Sequence, residues 1–316
     1  LALFRTLNFH ETVNIDDFSV KLIPSGHILG ASSILVEADG KKILFSGDLG
    51  RYDDLLMDAP HEPVTADYLV CESTYGDRNH IATNPIKEIE KLVSEIKEKN
   101  SVLLLPSFAV GRAQTLILLL YKLFQEKPEL KLPIYLNSPM AKEVTRLYEK
   151  YSSNHKLSKD EAYKIFKSIN IVSSIEQSQS LNEKHGPMII ISASGMLTGG
   201  RILHHLEAFG ANPNNILLLA GFQAEGTRGA DIKRGIKKIK FHGSYHHLKL
   251  RVESFDFLSA HADQKDLIKW LSLKLPKKKI FLTHGEALAS EALRKKIQEE
   301  IGQEAYIPYE QETINL

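Results

Sequence analysis

The stretch Lys42-Ile43-Leu44-Phe45-Ser46-Gly47-Asp48-Leu49-Gly50 decides how this chain is read. A short apolar run, the right length for one strand, stops at two small residues, and a carboxylate stands just past the stop. Immediately upstream, Asp39-Gly40 separates Ser33–Glu37 from Lys42–Ser46, the signature of a tight hairpin between two strands.

Working outward, the same placement recurs. His27 follows the run Phe18–Pro24 as Ser-Gly-His, and Glu72 follows Ala66–Cys71. His261 follows Val252–Leu258 within Ser-Ala-His-Ala-Asp, and His284 follows Lys279–Thr283 within Thr-His-Gly-Glu. Taken singly, each has an ordinary structural reading: a hydrogen-bonded loop histidine, a Gly-Asp turn, a helix-capping glutamate. Independent turn residues, however, have no reason to repeat one chemical placement. Ligands of α/β folds collect beyond the carboxyl ends of strands. Two or three histidines and a carboxylate, each on its own strand end beside a small residue, suit a tetrahedral or five-coordinate zinc site.

Between these motifs the pattern alternates. Asn84-Pro85 opens a helix whose stripe is Ile86, Ile89, Leu92, Val93 and Ile96. Strand Val102–Leu105, a helix from about Arg112 to Gln125, strand Ile134–Leu136 and a helix from Ala141 follow. Ser152–Lys167 reads as a polar, Lys-rich stretch, and Met188–Ile191 and Ile216–Ala220 as buried strands. That rhythm predicts a largely parallel sheet. Near Phe241 the pattern returns to strands. Val252–Leu258 and Lys279–Thr283 flank a helix through Leu267, Ile268 and Leu271 that Asp263 can cap, a further helix follows Gly285, and the chain closes on short β-like runs. The simplest organisation is one α/β domain (79–250) inserted into another that is split into 1–78 and 251–316.

The inserted segment has strand-end loops of its own: Pro106–Arg112, Asn137–Met140, Ser192–Met196 continuing to Gly199-Gly200-Arg201, and Gly221–Thr227. Small residues let backbone N–H groups approach an anion, and arginines such as Arg112 and Arg201 add bidentate phosphate contacts. Ser107, Arg112, Ser194, Gly195, Arg201, Gln223 and Thr227 are therefore candidate phosphate-binding residues. None of the loops is G-x-G-x-x-G or Walker A, which disfavours a nucleotide cofactor. Ser107 has no evident His and Asp partners for a hydrolase triad. His242, His246 and His247 lie in a Lys-rich stretch and read as a solvated face.

Bulk properties bound these readings. The 316 residues suggest about two domains, and 43% hydrophobic with 25% charged residues is ordinary for a protein that buries a core. A formal net charge of +1 gives no bulk signal for nucleic acid, so any such site must be a local patch. Cys71 is the only cysteine, which excludes an internal disulfide and favours a reducing compartment. There is no apolar run of bilayer-spanning length. Leu1 to Phe9 lacks the pattern of a leader and reads like the middle of a fold, so a cytoplasmic protein truncated at its N-terminus is expected.

Taken in order, Gly26-His27, Ser46-Gly47-Asp48-Leu49-Gly50, Glu72-Ser73-Thr74-Tyr75-Gly76, Ser259-Ala260-His261-Ala262-Asp263 and Thr283-His284-Gly285-Glu286 resemble the later motifs of the metallo-β-lactamase/β-CASP nucleases. Pro106–Gln114, Ser194–Arg201 and Gly221–Gly229 resemble that family's cleft-lining loops. The resemblance covers nearly the whole chain. It implies an α/β fold: a partial metallo-β-lactamase αββα sandwich with an inserted β-CASP domain of largely parallel sheet. It also implies two Zn2+ ions in the complete protein, with His27 and His284 each on one metal and Asp48 bridging. Glu72 would orient a histidine, and His261 would contact the scissile phosphate and protonate the leaving oxygen. Metal-bound hydroxide would attack phosphorus.

His284 in the last motif resembles the RNA-processing branch, close to prokaryotic relatives of the polyadenylation endonuclease subunit, with ribonuclease J more distant. The implied substrate is single-stranded RNA, with no membrane partner and homodimerisation left open. The family's His-x-His-x-Asp-His motif is not in this sequence, and His10 has no histidine two residues away to replace it. The metal site of the chain as written is thus expected to be incomplete and poor at holding zinc, the chain inactive, and a sheet edge unpaired. A non-catalytic RNA-binding or scaffold subunit is the alternative from another class. A lactonase or thioesterase on the same scaffold is a third, disfavoured by the arginine-bearing insert.

Overall fold

The structure, a computed structural model, describes residues 4–316. Residues 1–3, the beginning of the Leu1–Phe9 stretch read above, lie outside the described residues. Internal contacts divide the chain into two units, one comprising the chain up to His80 together with Ala260–Leu316, the other Ile81–Ser259.

The first unit is built on a sheet of strands β1 (Thr12–Ile15), β2 (Phe18–Pro24), β3 (Ser32–Ala38), β4 (Lys41–Phe45), β5 (Tyr68–Glu72), β14 (Lys279–Thr283) and β15 (Ala305–Tyr306), side by side in that order. β1 to β4 form an antiparallel meander, whereas β4, β5, β14 and β15 are parallel. The β3–β4 hairpin turns on Asp39 and Gly40, with φ of 50° and 70°. Two successive positive φ values match the twist of the flanking strands, which is why Asp-Gly suits this turn. β2 and β4 both run antiparallel to β3 and so share a direction. The carboxyl ends of β2, β4, β5 and β14 therefore emerge at one edge.

Helices α8 (Gln264–Leu273) and α9 (Ala287–Glu300) cover one face of this sheet. The Asp263 side chain caps α8 by accepting from Asp266 N. Leu267, Trp270, Leu271, Leu293 and Ile297 pack with Ile23, Leu44, Leu69, Cys71, Ile280 and Leu282 in one buried cluster. On the other face, cross-strand partners form two apolar rows, Val20–Val36–Ile43 and Leu22–Ile34–Phe45. These rows are only half-buried or exposed, Phe45 reaching 39%.

The second unit holds a six-stranded sheet, parallel throughout, in the order β13 (Arg251–Ser254), β10 (Ile216–Leu219), β6 (Val102–Pro106), β9 (Met188–Ser192), β7 (Ile134–Asn137), β8 (Asn170–Ile171). The central strands β6, β9 and β10 are buried at every residue, as their unbroken Val, Leu and Ile runs require of strands covered on both faces. The helices are α1 (Pro85–Glu98), α2 (Arg112–Glu126), α3 (Pro139–Lys150), α4 (Lys159–Lys167), α5 (Ile175–Asn182), α6 (Ile202–Phe209) and α7 (Arg228–Lys233). A separate hairpin pairs β11 (Lys238–Phe241) with β12 (Ser244–His247).

Two local expectations are corrected. The polar stretch after Ser152 contains α4, which buries Ala162, Ile165 and Phe166 at helical spacing and starts with a capping box of Ser158 and Glu161. The run 252–258 is not one strand leading to His261. Only Arg251–Ser254 is extended, pairing with β10 in the second unit, and Asp256–Leu258 coils into a 3-10 turn after Phe255 N closes the ladder on Leu219 O. Among the described residues, no helix is long and apolar enough to cross a membrane.

Candidate metal centre

His27, Asp48, Glu72 and His284 all sit at or just beyond carboxyl ends of co-directional strands, so the sheet itself delivers them to one edge. His261 arrives differently. Leu49 and Gly50 act as a short central strand between Gly26 and His261, through isolated bridges Gly26↔Leu49 and Gly50↔His261. Gly50 N donates to Ser25 O and Ala262 N to Leu49 O, each at 2.8 Å. Glycine is needed for this approach, because a Cβ on Gly50 would lie 2.0 Å from Gly26 O.

The side chains converge. His27 Nε2 stands 3.9 Å from Asp48 Oδ2, and His284 Nδ1 3.2 Å from Asp48 Oδ1. The His27 and His261 rings are 4.3 Å apart, those of His261 and His284 6.1 Å. His27, Asp48 and His261 form one group of three donors lying within 4.8 Å of one another, and Asp48, Glu72 and His284 form a second. Asp48 belongs to both.

Glu72 is buried and ordered by hydrogen bonds. Oε1 accepts from Leu49 N at 2.6 Å, and His261 Nδ1 lies 3.2 Å from Oε2. Burial pushes its carboxyl up, but the hydrogen bond and charge of His261, with Thr74 and Leu49, outweigh that and hold it below the ordinary range. An ionised carboxylate only accepts, so His261 Nδ1 carries the hydrogen and Nε2 is the basic nitrogen. Burial, reinforced by His261, pushes His27 down to about 4. His27 is therefore neutral near pH 7, the form a metal ligand requires. Among the described residues its buried Nδ1 has no well-formed hydrogen bond, the Ala260 backbone giving the ring only a weak polar contact, and its 3.9 Å approach to Asp48 is too long for one. Imidazoles around a shared carboxylate, each with a second ring nitrogen to offer, fit a zinc-class ion.

In the second unit, every loop singled out by sequence follows a strand of the parallel sheet, so all lie at its carboxyl edge. Ser107 is buried after β6, with its N–H on Ser192 O. Arg112 begins α2 and its guanidinium runs past Gly221, where a Cβ would stand 3.4 Å from Nη2 and where a φ of +113° favours glycine. Ser194 Oγ accepts from Thr198 N and Gly199 N at 3.0 and 3.2 Å, closing its own loop, and Gly195 packs on Phe108. Arg201 donates to Asn137 Oδ1 at 2.8 Å. Gln223 Nε2 donates to Gly195 O, while Thr227 caps α7.

Two family models match the chain: a Beta-Casp domain over residues 113–232 and a Zn-dependent metallo-hydrolase RNA specificity domain over 245–308. A ribonuclease of Thermus thermophilus is 34% identical over 297 residues, covering 90% of this chain and 67% of that protein. The chain belongs to the β-CASP metallo-β-lactamase family. This family of metal-dependent hydrolases includes two further relatives. An RNase J-like protein of Methanocaldococcus jannaschii is 32% identical, covering 90% of this chain and 68% of its own length. Cleavage and polyadenylation specificity factor 73 of Drosophila melanogaster is 30% identical, with 94% of this chain matched to only 44% of the relative. A crystal structure of an Enterococcus faecalis protein of unknown function superposes with a TM-score of 0.51 at 13% identity, over 96% of this chain and 65% of that one, a likeness of fold.

Within this β-CASP chain, the Beta-Casp match falls wholly inside the second unit, and the RNA specificity match carries His261 and His284. The fold is accordingly a metallo-β-lactamase fold carrying a β-CASP domain. Several site residues escaped the sequence reading. Thr74 Oγ1 lies 3.1 Å from His284 Nδ1, a contact foreshadowed by its place in the Glu72-Ser73-Thr74 run. His80 Nε2 donates to His261 O at 2.9 Å, and His80 N to Asp263 Oδ2. His205, fully buried behind Arg201, joins Asn137 to Asn182. Nothing local in the sequence marks His80 or His205.

Proposed function

We propose that this protein is a zinc-dependent phosphodiesterase that cleaves single-stranded RNA. The observation that carries the reading is the pair of three-donor groups sharing Asp48, in a chain whose relatives include ribonucleases. His27, Asp48 and His284 would hold the metal, with Asp48 common to both positions. When bound, zinc supplies a nucleophile at neutral pH by acidifying water, and stabilises the charge that develops on phosphate.

The chain's own residues do the rest. Glu72 fixes the His261 ring through Nδ1, directing Nε2 at the substrate. In its protonated form, His261 gives that proton to the departing ribose oxygen as the P–O bond breaks, general-acid catalysis worth about 10²- to 10⁴-fold. Arg112 and Arg201 bind backbone phosphates, and the Asn137–His205–Asn182 relay holds Arg201 in one orientation. Loop N–H groups at Gly195 and Gly200 add uncharged donors.

The test is cleavage of a single-stranded RNA by the full-length protein, with and without chelator. Cleavage abolished by chelator and restored by zinc is expected. Chelator-insensitive cleavage would contradict the metal reading. RNA binding with no cleavage under any metal would favour a scaffold subunit.

A further inference from the structure

A second cluster of ligand-type side chains lies in the β-CASP unit and shares no residue with the centre above. His204 and Glu207 stand three apart on α6, a spacing that puts both on one helix face. His242 reaches them from the β11–β12 turn. His242 Nδ1 is 3.0 Å from Glu207 Oε2, the His204 and His242 rings are 4.3 Å apart, and one donor atom from each of the three lies within 4.8 Å of the others. We propose that His204, Glu207 and His242 form a surface site for a divalent transition-metal ion of the zinc class, which staples the β11–β12 hairpin to α6.

The donor set selects the ion class. Two imidazoles and one carboxylate suit zinc, nickel or copper, whereas calcium and magnesium demand more oxygen ligands. Tetrahedral zinc with bonds of about 2.0–2.2 Å holds its ligands about 3.3 Å apart. Two of the three donors already stand near that separation, and His204 and Glu207 are exposed enough for rotamer changes to close the rest. Both backbones are anchored: Leu203, Leu206 and Phe209 of α6 share a buried cluster with Ile239 and Phe241 of β11.

The turn supports a role for the imidazole itself. His242 and Gly243 occupy a two-residue hairpin turn with φ of 46° and 79°. Asn, Asp or Gly are the residues such a turn favours in its first position. Histidine tolerates positive φ without being the residue this turn prefers, and here its ring reaches Glu207 and His204. The neighbouring histidines go elsewhere: His246 stacks on Phe241 at 4.0 Å, with Nε2 on Ser244 Oγ. A bare exposed ion pair between His242 and Glu207 would contribute little, and would not account for His204 at the same carboxylate.

Zinc bound per chain after dialysis against buffered zinc tests the site, in the wild type, His242→Ala, Glu207→Gln, His246→Ala and Asp48→Asn. Expected is the loss of one equivalent in His242→Ala and in Glu207→Gln, its affinity falling by more than about 100-fold, beyond what an outer hydrogen-bond partner costs. His246→Ala and Asp48→Asn keep that equivalent, and RNA cleavage by His242→Ala is unchanged. Cobalt(II) in its place should show tetrahedral visible bands that His204→Ala removes. Equal zinc in the wild type and both ligand variants overturns the proposal, as does a loss in His246→Ala as large as in His242→Ala. Glu207→Gln keeps side-chain shape, so a loss there cannot be ascribed to misfolding.

Discussion

Both units end their co-directional strands on short turns rich in small residues, yet the two edges gather different polar side chains. At the edge of the first unit, His27 keeps a buried nitrogen without a well-formed hydrogen bond among the described residues, and Asp48 is approached by two histidines. At the edge of the second, Ser194 closes its own loop, Arg201 is held by Asn137 and Thr227 caps α7, while Gln223 Oε1 stays buried without a hydrogen bond among the described residues. Strand direction explains where the residues gather at each edge. What differs is the kind of capacity left over: an imidazole nitrogen of His27 at the first edge, an amide oxygen of Gln223 at the second.

Breaking the first edge should have the largest effect. Asp48→Asn removes the shared carboxylate, and turnover should fall by at least about 10³-fold, the scale of several kcal/mol of lost charge stabilisation, together with bound zinc. Cleavage rate and metal content measured on the same sample check both. His261→Ala sharpens the division of labour at that edge. It should cost about 10²- to 10⁴-fold in turnover while zinc content stays near normal. His261 lies in a three-donor group with His27 and Asp48, so an equal loss of zinc would make it a ligand instead.

The second edge should respond through stability. His205 is buried with its pKa pushed down to about 4, against 6.5 in the unfolded chain, because burial disfavours the charged ring. As pH falls from 6.5 to 4 the unfolded state takes up a proton that the folded state refuses. Stability should drop across that window by on the order of 3 kcal/mol and level off below it. His205→Gln should flatten that slope in denaturant titrations at several pH values; an unchanged slope would mean that His205 is not the group titrating. The smallest effect is expected in RNA affinity. Arg112→Ala should weaken binding and lower the salt slope by about 1, the signature of one lost phosphate contact. Arg201→Ala should do the same and also strip Asn137 of a partner, destabilising the unit by about 1–3 kcal/mol. Unchanged salt slopes would make both arginines purely structural.

Much of this contrast could be read from the sequence, for physical reasons that differ by residue. Buried parallel strands such as Met188–Ser192 announce themselves as unbroken apolar runs, and the Asp39-Gly40 turn by its chemistry. His27, Asp48, Glu72 and His284 were legible because each follows a strand, so one-dimensional order maps onto one edge. His261 is marked by its motif and does lie beside His27 and Asp48, but the sequence suggests the wrong route to it. The run before it pairs in the other sheet, and its position comes from a bridge to Gly50, a contact between segments more than 200 residues apart. The helix after Ser158 was hidden by its polar surroundings. His205 and His80 act through partners distant in sequence, and no local pattern distinguishes either from a solvated histidine.

Anomalous diffraction at the zinc edge, from crystals of the full-length protein, tests the shared carboxylate most directly. Expected are peaks on both sides of Asp48, each about 2.0–2.2 Å from one of its oxygens, one also bonded to His27 and the other to His284. Stoichiometric zinc with no peak in bonding reach of Asp48 would contradict it.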